Sequence, residues 1–414
     1  MPTRVITCSA LVHLLRPGMR VFIHAGPAES PALREALQAA PEAARGVEFF
    51  GIFIPGINDF DYAGLQSDAR ASGPFVPPTA RKTFEAGRFE FTPVHYSELG
   101  SYVASRPIDL AILHCPPDRT GLFSLGVNAD VAAIAARKAV QCAVIVNEAL
   151  PDTQMPELLE SACATYVVEG EGEVLDNPSE PSDDISERIA VQVASLVRDG
   201  DTVQIGIGRL PAAILRKLGQ HRRLKMHTGM ITDEVAELGR LGALDTQVRS
   251  PIVTGMAVGT AKVRDFSRQP LCSFGPVEVT HDVRRIAAID SFIAINSAVE
   301  VDLFGQVNGE LINGKQMSGI GGSSDFARGA RLSPGGRGVI ALPATARGKS
   351  RIVTQAAGPV SQSRCDADYV VTEYGAASLR NRSIDARAEA LIAIADPAHR
   401  AALSEAWRSR RASL

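Results

Sequence analysis

Two segments of this 414-residue chain match each other, and this internal repeat limits the possible fold more than any other feature. Residues 15–26 read LRPGMRVFIHAG, and residues 197–208 read VRDGDTVQIGIG. Pro31 and Pro211 follow the two copies at a short distance. Each copy is typical of a helix end, a glycine turn, a buried strand, a second turn and a helix that starts with proline.

A second match runs along the two halves of the chain. Ala111-Ile112-Leu113 precedes DRTG at 118–121, and Ala294-Ile295-Asn296 precedes DLFG at 302–305. Both matches together predict an α/β protein built from two related domains, each with an open and mostly parallel sheet.

A linker divides the two predicted domains. Residues 172–184 (GEVLDNPSEPSDD) are acidic, rich in proline and serine, and without apolar periodicity. We therefore predict an N-terminal domain at 1–171, a linker at 172–185 that ends at a helix cap near Asp184 or Ser186, and a C-terminal domain at 186–414. The ligand site is expected in a cleft between the domains.

Composition narrows the class of protein. Apolar residues make up 45% and charged residues 21% of the chain, and the formal net charge is −3. Such a balance disfavours nucleic acid as a partner, because binding to phosphates needs clustered lysine and arginine. The six cysteines lack paired spacing, and no apolar run reaches the ~18 residues that cross a bilayer. A cytoplasmic protein without a membrane partner is expected.

Glycine turns mark the predicted ligand-binding edge. Gly319, Gly321 and Gly322 follow an apolar run at 293–302 that reads as one buried strand. A loop without side chains lets backbone N–H groups approach a ligand directly. Gly206 and Gly208 occupy a similar place after the strand of the second repeat. They do not form a dinucleotide fingerprint, since Pro211 replaces the third glycine, so no NAD is expected and an anion or a pantetheine arm fits better.

Five stretches of the chain resemble the acetyl-CoA hydrolase/4-hydroxybutyrate CoA-transferase family. They are PPDRTGLFSLG (116–126), INSAVEVDLFGQVN (295–308), GIGGSSDFARGA (319–330), KSRIV (349–353) and DYVVTEYGAASLR (368–380). The resemblance spans nearly the whole chain in the right order. It implies two CoA-transferase-type domains, a homodimer, and coenzyme A or acyl-CoA as a substrate with a carboxylate or other acyl acceptor, without metal or NAD.

The resemblance also implies roles for individual residues. Family members use a glutamate that attacks the thioester, and enzyme-bound anhydride and CoA thioester intermediates follow. Gly322 matches the glycine whose N–H helps to form the oxyanion site, and Glu373 matches an acidic residue that supports the nucleophile. Gly319 and Gly321 would line the channel for the CoA arm.

The chain departs from the family at the reactive centre. In the stretch MHTGMITD (226–233), the place of the family's glutamate is taken by Gly229. A family asparagine corresponds to His281 or Asp282. Glu300 is a weaker candidate for a substitute nucleophile, since relatives carry a glutamate there besides the catalytic one. Without a carboxylate to acylate, double displacement is closed, and we expect a cavity beside Gly229 that a bulkier substrate fills.

Three reactions remain open for such a centre. They are direct acyl transfer, thioester hydrolysis with His227 or His281 as the base that activates water, and decarboxylation of an acyl-CoA that carries a second carboxylate. The leading hypothesis is an enzyme that moves an acyl or CoA group between an acyl-CoA and an acceptor. A non-catalytic CoA-binding scaffold is the alternative from another class.

Overall fold

A computed structural model describes residues 3–153, 155, 158–169 and 172–413 of the chain. These residues form two compact units. The first comprises Met1–Pro178, Val253–Thr280 and Met317–Gly321, and the second comprises Ser179–Ile252, His281–Gln316 and Gly322–Leu414. The chain is thus α/β with two sheet-based units, as the repeat predicted.

The first unit contains an eight-stranded sheet in which every pair of neighbours is parallel. Its strands lie in the order Arg4–Ile6, Tyr166–Glu169, Gln141–Val146, Leu110–Cys115, Arg20–Ile23, Glu48–Phe50, Arg70–Gly73 and Phe89–Phe91. All six residues of the central strand Leu110–Cys115 are buried, which is the pattern of a parallel strand covered on both faces. The α-helices of this unit are Cys8–Val12, Pro31–Ala39, Arg81–Glu85, Leu99–Ser105, Ala132–Lys138, Ala261–Ser267 and Val277–Thr280.

The second unit has a corresponding sheet. Six of its strands follow the order Lys225–Ile231, Thr202–Ile205, Phe292–Ser297, Arg337–Ala341, Tyr369–Thr372 and Gly375–Ser378. The first five of these are parallel, and the last closes an antiparallel hairpin. The α-helices are Asp184–Ala194, Arg209–Leu218, Asp233–Arg240, Val283–Ala287, Ser323–Leu332, Ile384–Ile394 and Pro397–Arg411.

One pair of neighbouring strands has the same register in both sheets. In the first unit Phe22 pairs with Ala111 and Ile23 with Ile112. In the second unit Gln204 pairs with Ala294 and Ile205 with Ile295. These are the positions that the two sequence matches equate, so the internal repeat is a repeat of strand register.

Three local predictions needed adjustment. The apolar run at 293–302 is not one strand, because Phe292–Ser297 ends in the main sheet and Glu300–Asp302 pairs instead with Val307–Asn308 and Ile352–Val353. The helix after the linker is capped by Asp183, whose carboxylate accepts from the N–H of Ser186 at 2.8 Å. The helix Arg209–Leu218 begins two residues before its proline.

Candidate active site

The strand Lys225–Ile231 presents the stretch that departs from the family. Side chains alternate along a strand, so His227 and Gly229 lie on one face and Thr228 on the other. The Thr228 hydroxyl donates to the carbonyl of Ile205 on the neighbouring strand at 3.0 Å, which fixes this alternation. The face that carries Gly229 turns toward His281.

The imidazole of His281 occupies the space next to Gly229. A Cβ built on Gly229 would lie 2.9 Å from Cε1 and 3.0 Å from Nε2 of this ring. A Cβ on Gly322 would lie 2.5 Å from Cδ2 and 2.6 Å from Nε2 of the same ring. The structure thus brings three predicted site residues together, and each glycine leaves room for the imidazole. The ring of His281 borders the space beside Gly229 on one side. The predicted cavity beside Gly229 stays a prediction.

Aromatic rings surround the histidine. The His281 ring packs on Phe326 with centroids 4.6 Å apart, and Phe326 stacks on Phe292 at 6.3 Å. His227 meets Phe292 edge to face at 6.2 Å. Burial, together with the charge that His227 would carry, lowers the pKa of His281 to about 3. The His281 imidazole is therefore neutral near pH 7.

Gly322 stands at the start of the helix Ser323–Leu332 and serves as its N-cap without a side-chain hydrogen bond. The positive end of the helix dipole and the first N–H groups favour a developing negative charge at this end. This geometry supports the predicted oxyanion role of Gly322, which stays a prediction. Phe326 lies four residues further on the same helix and so reaches the same face as Gly322.

The other two loop glycines pack within the first unit. A Cβ on Gly319 would lie 2.0 Å from the carbonyl oxygen of Pro74, so no side chain fits there. Gly321 adopts φ +59, and a Cβ on it would meet the ring of Phe75 at 3.8 Å. Gly319 therefore has a packing role, whereas its predicted contact with the CoA arm stays a prediction.

Gly206 and Gly208 leave open space after the strand Thr202–Ile205. A Cβ on either would meet nothing within 4 Å. Gly208 has φ +107 and is the N-cap of the helix Arg209–Leu218. The open surface at a helix start is compatible with the predicted ligand-binding role of both residues, which stays a prediction.

The two glutamates bind backbone groups. The buried carboxylate of Glu373 accepts from the N–H of Ala344 at 2.9 Å, and Arg188 donates to the carbonyl of Glu373 at 3.1 Å. The carboxylate of Glu300 accepts from the N–H of Ala357 at 2.7 Å and from Asn308 at 3.1 Å. These contacts give Glu300 a structural role.

The ring of Phe326 and its stacking on Phe292 were missed from the sequence. The one signal in the sequence was the position of Phe326, four residues after Gly322.

Within residues 3–153, 155, 158–169 and 172–413, no helix is long and apolar enough to span a membrane. Over the same part of the chain, no group of three or more His, Cys, Asp or Glu side chains is arranged to hold a metal ion.

Comparison with known proteins places the chain in a family. Residues 2–171 match the acetyl-CoA hydrolase/transferase N-terminal domain and residues 259–407 match the C-terminal domain of the same name. The chain is 33% identical to 4-hydroxybutyrate coenzyme A transferase of Clostridium kluyveri over 419 aligned residues, with 98% of each chain covered. RipA from Yersinia pestis superposes with a TM-score of 0.90 at 28% identity, over 99% of this chain and 98% of that one.

A 4-hydroxybutyrate CoA-transferase from Porphyromonas gingivalis superposes with a TM-score of 0.81 at 30% identity, over 98% of each chain. The N-terminal and C-terminal family domains match in that order along the chain, and the relatives align over nearly all of it. The two sheets agree with this assignment. The chain therefore belongs to the acetyl-CoA hydrolase/transferase family, whose members are enzymes that act on acyl-CoA thioesters.

Proposed function

We propose that this protein transfers or hydrolyses the acyl group of an acyl-CoA by single displacement, without a covalent intermediate between the enzyme and the acyl or CoA group. The observation that supports it is the imidazole of His281 against Gly229 and Gly322. Glycine at position 229 supplies no carboxylate. The neutral ring of His281 faces Gly322, the glycine of the expected oxyanion site. An external carboxylate or water then attacks the thioester directly.

His281 orients the attacking group in this scheme. A neutral imidazole accepts or donates one hydrogen bond at Nε2, the ring atom that lies 3.0 Å from a Cβ built on Gly229 and 2.6 Å from one built on Gly322. The pKa of about 3 makes this ring a weak base, so it positions the acceptor more than it deprotonates it. The N–H groups at Gly322 and the following helix start stabilise the oxyanion that forms on the thioester carbonyl.

The source of the oxygen in the released butyrate distinguishes single displacement from the route through a protein carboxylate. In single displacement, an acetate oxygen attacks the carbonyl of butyryl-CoA and the C–S bond breaks, which gives a mixed anhydride and CoA thiolate. The thiolate attacks the acetyl carbon, and butyrate leaves with the oxygen that came from acetate. Through a protein carboxylate, the butyrate of the first turnover would take its oxygen from the protein instead.

A single-turnover experiment tests the proposal. Protein in excess over butyryl-CoA is mixed with ¹⁸O-labelled acetate, or with ¹⁸O-labelled water and no acetate, and the butyrate is analysed by mass spectrometry. We expect labelled butyrate in the first turnover. Unlabelled butyrate together with a borohydride-sensitive protein–CoA thioester would overturn single displacement. Binding of CoA without turnover of any short-chain acyl-CoA would favour the scaffold alternative.

The proposal includes a cytoplasmic homodimer. All six cysteines are free, and three of them are buried, which suits a reducing compartment. Light scattering coupled to size-exclusion chromatography tests the assembly, since the monomer mass is 43.9 kDa. A single species near twice that mass is expected, and a monomer at micromolar concentration would contradict it.

A further inference from the structure

Tyr96 contacts the glycine loop within the first unit. Its backbone N–H donates to the carbonyl of Gly321 at 3.2 Å. Its ring also packs near that of Phe75, with centroids 6.4 Å apart, and Phe75 in turn borders both Gly319 and Gly321. The start of the short segment Tyr96–Glu98 therefore determines where the Gly321 carbonyl lies.

The side chain of Tyr96 is held by a buried carboxyl group. Its hydroxyl donates to Oδ2 of Asp130, and both residues are buried. The Asp130 backbone is fixed on two sides: its N–H donates to Asn128 Oδ1 at 3.3 Å, and its carbonyl accepts from the N–H of Val277 at 3.1 Å. The second carboxyl oxygen, Oδ1, is buried without a hydrogen-bond partner among the described residues.

We infer that Asp130 is a positioning residue, which acts through the Tyr96 side chain to hold the carbonyl of Gly321 and with it the loop 317–321. The inference rests on the proposed function in one respect, namely that this loop borders the acyl-CoA. Asp130 is separated from Gly321 by 191 positions in sequence (321 − 130), and one tyrosine connects them through its two ends.

The charge of Asp130 is set by its surroundings. Tyr96 and Glu278 are the titratable groups that face it. Burial is the largest cause, and the charge of Glu278 adds to it, so the pKa of the Asp130 carboxyl is raised to about 7. Below neutrality the carboxyl is protonated and its partnerless Oδ1 carries no charge. Because burial raises this pKa, the folded loop keeps a proton that the opened loop releases, and protection of the loop falls as the pH rises from about 4 to about 7, although the hydrogen bond from Tyr96 by itself favours the anion.

Hydrogen–deuterium exchange of the free protein tests the inference without any activity. The readouts are peptides that contain the Tyr96 N–H and residues 317–321. Tyr96→Phe keeps the ring and the backbone N–H but removes the hydroxyl. We expect at least tenfold faster exchange in both regions. Asp130→Asn keeps an acceptor and removes the titration, so it should keep the protection and abolish its change between about pH 4 and pH 7.

Tyr62→Phe is the matched control. The Tyr62 hydroxyl donates to the buried carboxyl of Glu29 at 2.8 Å, in the same unit and with the same chemistry. The Tyr62 ring packs on Phe49, Phe53 and Phe60, away from the loop 317–321. The control should leave exchange at 317–321 unchanged. Equal effects of Tyr96→Phe and Tyr62→Phe would overturn the inference, and so would an unchanged loop in Tyr96→Phe.

Kinetics separates this inference from the proposed function. If both hold, Tyr96→Phe raises KM for butyryl-CoA severalfold and changes kcat by less than a factor of two, while Asp130→Asn flattens the pH profile of KM. An altered loop in a protein without any acyl-CoA turnover would uphold the anchor and defeat the proposed function. An altered KM with unchanged exchange in the loop would defeat the anchor alone.

Discussion

Steric coupling between Gly229 and His281 is the sharpest test of the candidate site. In Gly229→Ala, the new Cβ lies 2.9–3.0 Å from the imidazole, which is tighter than real contacts of this kind, so the ring must move. Overpacking of a core typically costs about 1–3 kcal/mol, from which the roughly 0.5–1 kcal/mol gained by alanine over glycine in a strand is subtracted. We expect a net loss of about 0–2.5 kcal/mol.

The histidine variant reverses that sign. His281→Ala alone costs about 2–5 kcal/mol, as removal of a large buried side chain does. In this background the Cβ of Gly229→Ala meets no ring, so alanine at 229 should be neutral or stabilising. The two effects of Gly229→Ala then differ by about 1–3 kcal/mol between the backgrounds, which is the coupling energy of the double-mutant cycle.

A single tryptophan makes the measurement direct. Trp407 is the only tryptophan of the chain, is buried and packs against Phe304 in the second unit, so its fluorescence during urea unfolding reports on the unit that holds Gly229. Gly206→Ala is the control, because its Cβ meets nothing within 4 Å. Additivity of Gly229→Ala and His281→Ala within about 0.5 kcal/mol would refute the contact.

Four further outcomes are expected. Gly229→Glu alone should form no protein–CoA thioester because the ring of His281 blocks the new carboxylate, whereas Gly229→Glu with His281→Asn should form a borohydride-sensitive protein–CoA thioester; no trapped thioester in the double variant would contradict this. The pKa of His281 is lowered to about 3, from an ordinary value of 6.5. Between these two pH values the imidazole is protonated in the unfolded chain and neutral in the folded one, so the free energy of unfolding falls as the pH drops below 6.5. His281→Phe should reduce that fall in urea titrations at pH 4.5 and 7. Asp130, with its pKa raised to about 7, has the opposite sign: stability falls as pH rises from 4 to 7, and Asp130→Asn should remove this slope. Gly319→Ala, which drives a methyl group into the carbonyl of Pro74, should lower Tm by several degrees; an unchanged melting curve would contradict that contact.

The sequence predicted the sheets better than the site. The matches of residues 15–26 with 197–208 and of 111–113 with 294–296 were enough to predict two parallel sheets, because strand register follows the apolar pattern. The break between Ser297 and Glu300 was not predictable from hydropathy. It arises because the second strand pairs with Ile352–Val353, more than fifty residues away.

Side-chain contacts between distant segments explain what the sequence could not predict. The glycine at 229 was found from the family pattern, but nothing local indicates that the ring of His281, 52 positions later (281 − 229), lies against it. The link from Asp130 through Tyr96 to Gly321 joins residues that are even further apart in sequence. The sequence does not distinguish a histidine or aspartate with such a contact from any other buried polar residue, because its partners come from distant segments.

The contact of the His281 imidazole with Gly229 and Gly322 bears on whether this family member still catalyses a reaction or only binds CoA. Loss of a nucleophile by itself would leave an empty volume at 229, and a cavity in a packed core is costly. Any small side chain at that position would reduce the cost. The ring at 281 instead makes glycine the residue that fits at 229, and it places a neutral nitrogen beside Gly322 and the start of a helix. A scaffold that merely binds CoA needs no polar group at this point, whereas an enzyme that orients an external acceptor does.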